Sequence, residues 1–167
     1  PTGLTESAVN LSVARRLAEH LEDAGARAVL TRPDEQPLGL YERAGIAEAA
    51  GAHLFVSVHQ NALPDGVDPF ASNGTATFHF HAHGEALARA LQAELLREFR
   101  LRDLGVGRSS LAVLRRLTWM PAILTETMFM MMPEQEAALR DEDVRDRIAR
   151  AHVRAIERFL RTRARAR

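Results

Sequence analysis

The stretch His53-Leu54-Phe55-Val56-Ser57-Val58-His59-Gln60-Asn61 decides how the chain is read. Its first half is a short run of apolar, β-branched and aromatic residues, the composition of a strand buried on both faces, and it ends abruptly in polar side chains. Helix-forming and strand-forming patterns alternate on either side, so the strand belongs to βαβ units and a mostly parallel sheet. In such sheets ligands bind beyond the carboxyl ends of the strands. The imidazole of His59 and the carboxamide of Asn61 stand at that boundary and are candidates for a site. An ordinary hydrogen-bonded cap on a strand end is the competing reading for His59.

Upstream, Glu6 to Ala24 reads as a helix, with Val13, Leu17 and Leu21 spaced by four and Ala14 and Ala18 filling the same face. Gly25 stops it. Arg27 to Thr31 reads as a strand, Arg32 to Pro37 as a loop, and Leu40 to Ala50 as a second helix closed by Gly51. Downstream, Ala62 to Gly74 carries two prolines, two glycines and two aspartates, the composition of an exposed loop bordering a pocket. Thr75 to Phe80 alternates as a strand, and Gly84 to Phe99 is a helix with Leu87, Leu91 and Leu95 on one face. Arg102 to Gly107 reads as a turn-rich connection, and Leu111 to Leu114 and Ala122 to Thr125 as short strands. After Pro133 the pattern is helical to the end, with Val144, Ile148, Ala151, Ala155 and Phe159 buried and the arginine-rich tail from Arg161 to Arg167 solvated. The expected architecture is one α/β domain over residues 1–167, a three-layer, mostly parallel twisted sheet with helices on both faces.

Composition narrows the function. The 167 residues suit one domain, and a hydrophobic fraction of 46% with mean hydropathy −0.19 is ordinary for a globular protein. Twenty-two basic residues balance 22 acidic ones, so no net field draws the chain to nucleic acid, and nucleic acid is not an expected partner. Every basic residue is arginine, which removes lysine Schiff-base chemistry and the phosphate-binding Walker loop. The absence of cysteine removes disulfides, thiolate metal sites and thiol nucleophiles. No apolar run has the length of a membrane span, and Pro1-Thr2-Gly3-Leu4 carries no signal-peptide pattern.

Four side chains stand out chemically. Glu126 ends a wholly apolar strand and is followed by Met128, Phe129, Met130, Met131 and Met132, a setting in which a carboxylate is costly to desolvate. Burial raises a carboxyl pKa toward values useful for proton transfer near neutral pH. The structural alternative is an ion pair with Arg115 or Arg116. Glu6 lies in the first turn of the first helix, where a carboxylate complements the helix dipole whether or not it does anything else. His79, His81 and His83 share one face of a strand, and of these only His79 is near enough to a strand end to be a ligand candidate. The methionines read as core or pocket lining. His59 and Glu126, each at the end of a strand, form a plausible metal-plus-base pair. Zinc takes histidine and carboxylate ligands and lowers the pKa of a water to about 7, and a nearby glutamate can take and return the proton.

The segments Gly3-Leu4-Thr5-Glu6, Leu30-Thr31-Arg32, Glu42-Arg43-Ala44, Ser57-Val58-His59-Gln60-Asn61-Ala62, Met120-Pro121-Ala122-Ile123-Leu124-Thr125-Glu126 and Pro133-Glu134 add a further reading. In order and spacing the chain resembles the zinc-dependent N-acetylmuramoyl-L-alanine amidases of the type 3 catalytic family across nearly its whole length. The resemblance implies a peptidoglycan hydrolase that cuts the amide between the lactyl group of N-acetylmuramic acid and the L-alanine of the stem peptide, acting on muropeptide in a secreted, periplasmic or wall-associated setting. It matches Glu6 and His59 to two Zn2+ ligands and Glu126 to the catalytic glutamate. Asn61 is carried as a candidate substrate-binding residue. Ser57 and Arg32 are candidates to orient the site, and Arg108 and Arg115 to meet peptide carboxylates. The resemblance also implies a first strand and a glycine-rich turn bearing a further ligand histidine, which have no counterpart in the sequence. Without them apolar surface is expected to lie open in the sheet, and His79 is the candidate substitute ligand. A non-catalytic wall-binding or regulatory module with an incomplete metal site is the alternative function. A zinc carboxypeptidase-like hydrolase is the alternative reaction.

Overall fold

Strand β1 (Phe55–Asn61) pairs in parallel with β4 (Ala122–Phe129), and the register sets Phe55 opposite Ala122 and His59 opposite Glu126. The computed structural model describes residues 3–64 and 66–165, so Asp65 of the predicted loop and the last two residues of the basic tail lie outside the described residues. Among the described residues the sheet has the order β1-β4-β2-β3, where β2 (Thr75–His79) runs antiparallel to β4 and parallel to β3 (Asp103–Arg108). Two of the three pairings are therefore parallel, and helices cover both faces as expected.

On the first face, α1 (Glu6–Asp23), α4 (Glu85–Phe99) and α7 (Glu142–Arg165) bury Val9, Val13, Leu17, Leu87, Leu91, Leu95, Ile148, Ala151, Ala155 and Phe159 against Val56, Val58 and Ile123. Apart from Val9 these are positions the helical spacing assigns inward, each large side chain contributing about 1.5–3 kcal/mol of burial, while the assigned Ala14, Ala18, Leu21 and Val144 are only partly buried. On the second face, α2 (Leu40–Ala49) and α5 (Ala112–Arg116) supply Ala44, Ala47, Val113 and Leu114 against Phe55, Ala122 and Leu124. Strand side chains alternate between faces. Continuing beyond this apolar cluster, the second face therefore carries Ser57, His59 and Glu126. The remaining helices are α3 (Pro69–Ser72), inside the predicted loop, and α6 (Pro133–Arg140).

Four local expectations are corrected. Arg102 to Gly107 is largely strand β3 rather than a turn: a Cβ on Gly107 would come within 3.1 Å of the Phe78 ring, and Gly105 takes a positive φ (89°) inside the strand. Leu111 to Leu114 is not a strand but the start of α5, whose Val113 and Leu114 turn into the second-face core, and so short an apolar run cannot by itself distinguish the two. The C-terminal helical region is two helices, broken at Asp141, whose backbone is extended (φ −75°, ψ 127°). The tail continues α7 as exposed helix to Arg165.

The fourth correction bears on the site. Arg27 to Thr31 has the composition of a strand but joins no ladder among the described residues. It is separated from the free edge of β1 by a cavity of about 590 Å³, lined by Leu11, Leu17 and Leu21 of α1, Val29 and Leu30, Leu54, Val56 and Val58, and Ile156 and Leu160 of α7. Two of these, Val29 and Leu160, are about half exposed, at 47% and 49%. Native interiors rarely hold a void larger than a few waters. The expected open apolar surface is thus a slot flanked on both sides by backbone without a ladder partner.

Candidate functional site

The site is assembled where the first turn of α1 meets the carboxyl end of β1. Thr5 caps α1, its hydroxyl accepting the Ala8 N–H at 3.2 Å, and this places Glu6 in the first turn, where the helix dipole favours an anion. Glu6 Oε1 accepts three hydrogen bonds: from Asn10 Nδ2 (2.9 Å), from the backbone N–H of Gln60 (3.1 Å) and from His59 Nδ1 (2.9 Å). Burial pushes the Glu6 carboxyl up, but the hydrogen bonds from His59, Asn10 and Gln60 together with the His59 charge outweigh it and hold the pKa at about 2. Glu6 is accordingly an anion throughout the physiological range. The other ring nitrogen of His59, Nε2, lies 3.1 Å from Ser57 Oγ.

Glu126 faces this pair from the neighbouring strand. Burial pushes its carboxyl up to about 7, with His59 lowering it and the Glu6 charge raising it. Its Oε2 is buried without a hydrogen-bond partner among the described residues. The arginines named as structural partners are engaged elsewhere: Arg116 pairs with Glu48 at 3.4 Å and Arg115 donates to the Tyr41 hydroxyl at 3.2 Å. Glu126 is therefore a buried carboxyl poised to exchange a proton near neutral pH, beside a fixed anion and an imidazole.

Behind Glu126, Thr125 points to the opposite face. Its hydroxyl lies 3.2 Å from His152 Nε2, and His152 Nδ1 donates to the Ile148 carbonyl at 2.8 Å. Burial holds His152 down at about 4, against the Ile148 bond that raises it. It is a neutral core histidine, and Thr125 donates to it.

The structure brings Glu6, His59 and Glu126 together, and it does not bring His79. Because β2 runs antiparallel to β4, the carboxyl end of β2 lies at the start of β4: Ala76 is opposite Glu126, and His79 opposite Ile123. His79 is thus at the far end of the sheet and is excluded as a substitute ligand. Arg108, in register with His79, goes with it and stacks over Phe80 at 5.1 Å. His81 and His83 stack on each other there, each contacting a backbone carbonyl. Asn61 lies at the site end of β1, its carbonyl accepting the Met130 N–H at 3.3 Å. Arg32 donates to the Ser7 carbonyl at 2.8 Å and so ties the loop after the slot to the residue beside Glu6. The methionines behave as packing residues, with Met120, Met128 and Met132 buried.

Two contributors were not singled out from sequence, Asn10 and the side chain of Gln60. The signal was present as Glu6-x-x-x-Asn10, the spacing that brings two residues to one face of a helix. Carboxylate oxygen and imidazole nitrogen are the donor types zinc prefers. Among the described residues, however, no group of three or more histidine, aspartate or glutamate side chains is placed to hold an ion.

A sequence profile described as N-acetylmuramoyl-L-alanine amidase matches residues 1–158. The chain belongs to this family. Within it, the amidase LytC of Bacillus subtilis is 33% identical over 153 residues, which are 89% of the present chain and 30% of LytC. The chain therefore spans under a third of that relative. Among solved structures, N-acetylmuramoyl-L-alanine amidase AmiC2 of Nostoc punctiforme is similar at a TM-score of 0.88 with 32% identity, covering 96% of this chain and 87% of that one. The catalytic domain of the amidase CwlV from Bacillus (Paenibacillus) polymyxa gives 0.86 with 32% identity, covering 95% and 86%. The mixed sheet and its helical layers are thus the amidase fold.

Proposed function

We propose that this amidase-family chain hydrolyses peptidoglycan at the bond between the lactyl carbonyl of N-acetylmuramic acid and the L-alanine nitrogen, with Glu126 as the proton-transfer group and Glu6 and His59 as ligands of a zinc ion. The observation that carries the reading is a carboxyl on Glu126 with a buried, unpartnered Oε2 and a pKa of about 7, beside the Glu6–His59 couple. Glu6 and His59 offer one carboxylate and one imidazole, which fits part of a zinc site of three protein ligands. Zinc bound there would supply polarisation of the scissile carbonyl and a water acidic enough to attack near neutral pH. Glu126 takes a proton from the attacking water and returns one to the departing L-alanine nitrogen as the C–O bond forms and the C–N bond breaks. Asn61, at the rim of the same strand end, is placed to bind substrate. The substrate assigns the protein to the cell wall or its surroundings.

The test is digestion of purified peptidoglycan, read as new free L-alanine amino termini and repeated after chelation and after zinc is restored. Cleavage that falls to background on chelation and returns with zinc is expected. Wall binding without any new amino termini would instead establish the non-catalytic module, and release of a C-terminal amino acid the carboxypeptidase-type reaction.

The slot beside β1 belongs to the same reading. A strand inserted parallel to β1 would pair with β1 on one side and residues 27–31 on the other, and its carboxyl end would arrive at the edge of the sheet that holds Glu6 and His59. We assign the slot to the family's first strand and the third ligand to the turn that follows it. A chain extended ahead of Pro1 by a strand and a histidine-bearing glycine-rich turn of the family's type should exchange the amide hydrogens of Val29, Val56 and Val58 at least about tenfold more slowly, since an edge strand gains a ladder partner. Unchanged exchange would show that the slot is filled by something else.

A further inference from the structure

Glu6 has two carboxylate oxygens, and the fold treats them differently. All three hydrogen bonds the side chain accepts fall on Oε1. Of the three donors, the Gln60 N–H is fixed by β1 and the His59 ring belongs to the site itself. Asn10 is the only side chain among them that takes no part in the chemistry proposed above. It stands one helical turn after Glu6, and its orientation is fixed in turn: Asn10 Oδ1 lies 3.4 Å from the Nε2 of Gln60, a residue only 3% exposed. That contact requires the oxygen of the Asn10 amide to face Gln60, so its NH2 group faces Glu6.

We propose that Asn10 is a positioning residue for Glu6: by donating to Oε1 it holds the carboxylate beside the His59 ring, where the two side chains face one site. The inference rests on the zinc reading only for what the carboxylate binds. The orientation itself follows from contacts within the chain. Groups that orient a ligand in this way typically change metal affinity by about 10–100-fold when removed. Asp at position 10 keeps the acceptor for Gln60 Nε2, whereas an aliphatic side chain leaves that buried donor unpaired at a cost of stability; both free Glu6 to rotate about its side-chain bonds.

The experiment compares the wild-type chain with Asn10→Asp, nearly the same in size but without the NH2 donor, and with Asn10→Leu. Two quantities are read: the Glu6 χ1 rotamer from side-chain scalar couplings in the metal-free protein, and Zn2+ affinity by titration of Zn2+ alone, followed at the His59 ring resonances. Expected are a single Glu6 rotamer in the wild type, averaging over rotamers in both variants, and a loss of Zn2+ affinity of about 10–100-fold, with melting temperature little changed in Asn10→Asp. Wild-type affinity in both variants would overturn the proposal while leaving the zinc reading standing. If the wild type takes no Zn2+, Glu6 and His59 do not hold the ion without the third ligand, and the couplings alone decide: averaging in the variants upholds the positioning role, and an unchanged rotamer ends it.

Discussion

Glu126→Gln is expected to lower the rate of muropeptide hydrolysis by about 10²–10⁴-fold, the contribution of a positioned general acid–base. The amide matches the protonated carboxyl in shape, so the strand, the cleft and the affinity for substrate should survive. Glu6 and His59 remain, so metal content should also be unaffected. The wild-type rate should rise with pH through about 7 as Glu126 gains its charge, because only the carboxylate can accept the proton from water. In the variant that limb should vanish from what activity remains. The alternative, that Glu126 is only a buried filler, predicts a variant with near-wild-type turnover. Steady-state assays across pH 5 to 9, with zinc content measured on the same samples, separate the two.

How much of this was legible in the sequence depends on the range of the interaction involved. His59 and Glu126 could be placed because each closes an apolar run, a local signal that survives without knowledge of the partner strand. The helix faces could be read for the same reason, and Val13, Leu17, Leu87, Leu91, Leu95, Ile148 and Phe159 are buried where spacing put them. Strand direction is not local. His79 closes an apolar run much as His59 does, and nothing in Thr75 to Phe80 records that β2 runs against β4. The edge strand β3 was hidden because its glycines resemble a turn unless Phe78 is known to lie over Gly107. Arg27 to Thr31 shows the opposite failure: the propensity for a strand is present, but a ladder needs a neighbour and the slot holds none. The structural explanation offered for Glu126, a clamp by Arg115 or Arg116, could be dismissed only once those guanidiniums were seen at Tyr41 and Glu48.

In the metal-free protein, stability should be nearly independent of pH between 4.5 and 6.5, and two single substitutions should tilt it in opposite directions. His152 is held at about 4 against 6.5 when free, so the unfolded chain binds the extra proton. Its contribution is complete above about 6.5 and is lost as pH falls toward 4. Glu126 is the mirror image, at about 7 against 4.5, so the folded chain holds the extra proton. Its contribution is complete below about 4.5 and is lost as pH rises through 7. Each gap of about 2.5 is worth about 3 kcal/mol at 1.36 kcal/mol per unit, and over the shared window the two slopes cancel. Glu6, Glu94, Glu98 and Asp146 are all held below their ordinary values, so their windows lie lower and do not enter. Glu126→Gln should therefore unmask His152, with stability rising by about 2–3 kcal/mol from pH 4.5 to 6.5. His152→Gln, which preserves an acceptor for Thr125, should unmask Glu126, with stability falling by a similar amount whatever its overall level. Urea midpoints across that range measure both slopes. A flat profile in either variant would mean that the corresponding group is not buried in the state the physical argument requires, and for Glu126 it would remove the basis of its proton-transfer role as well.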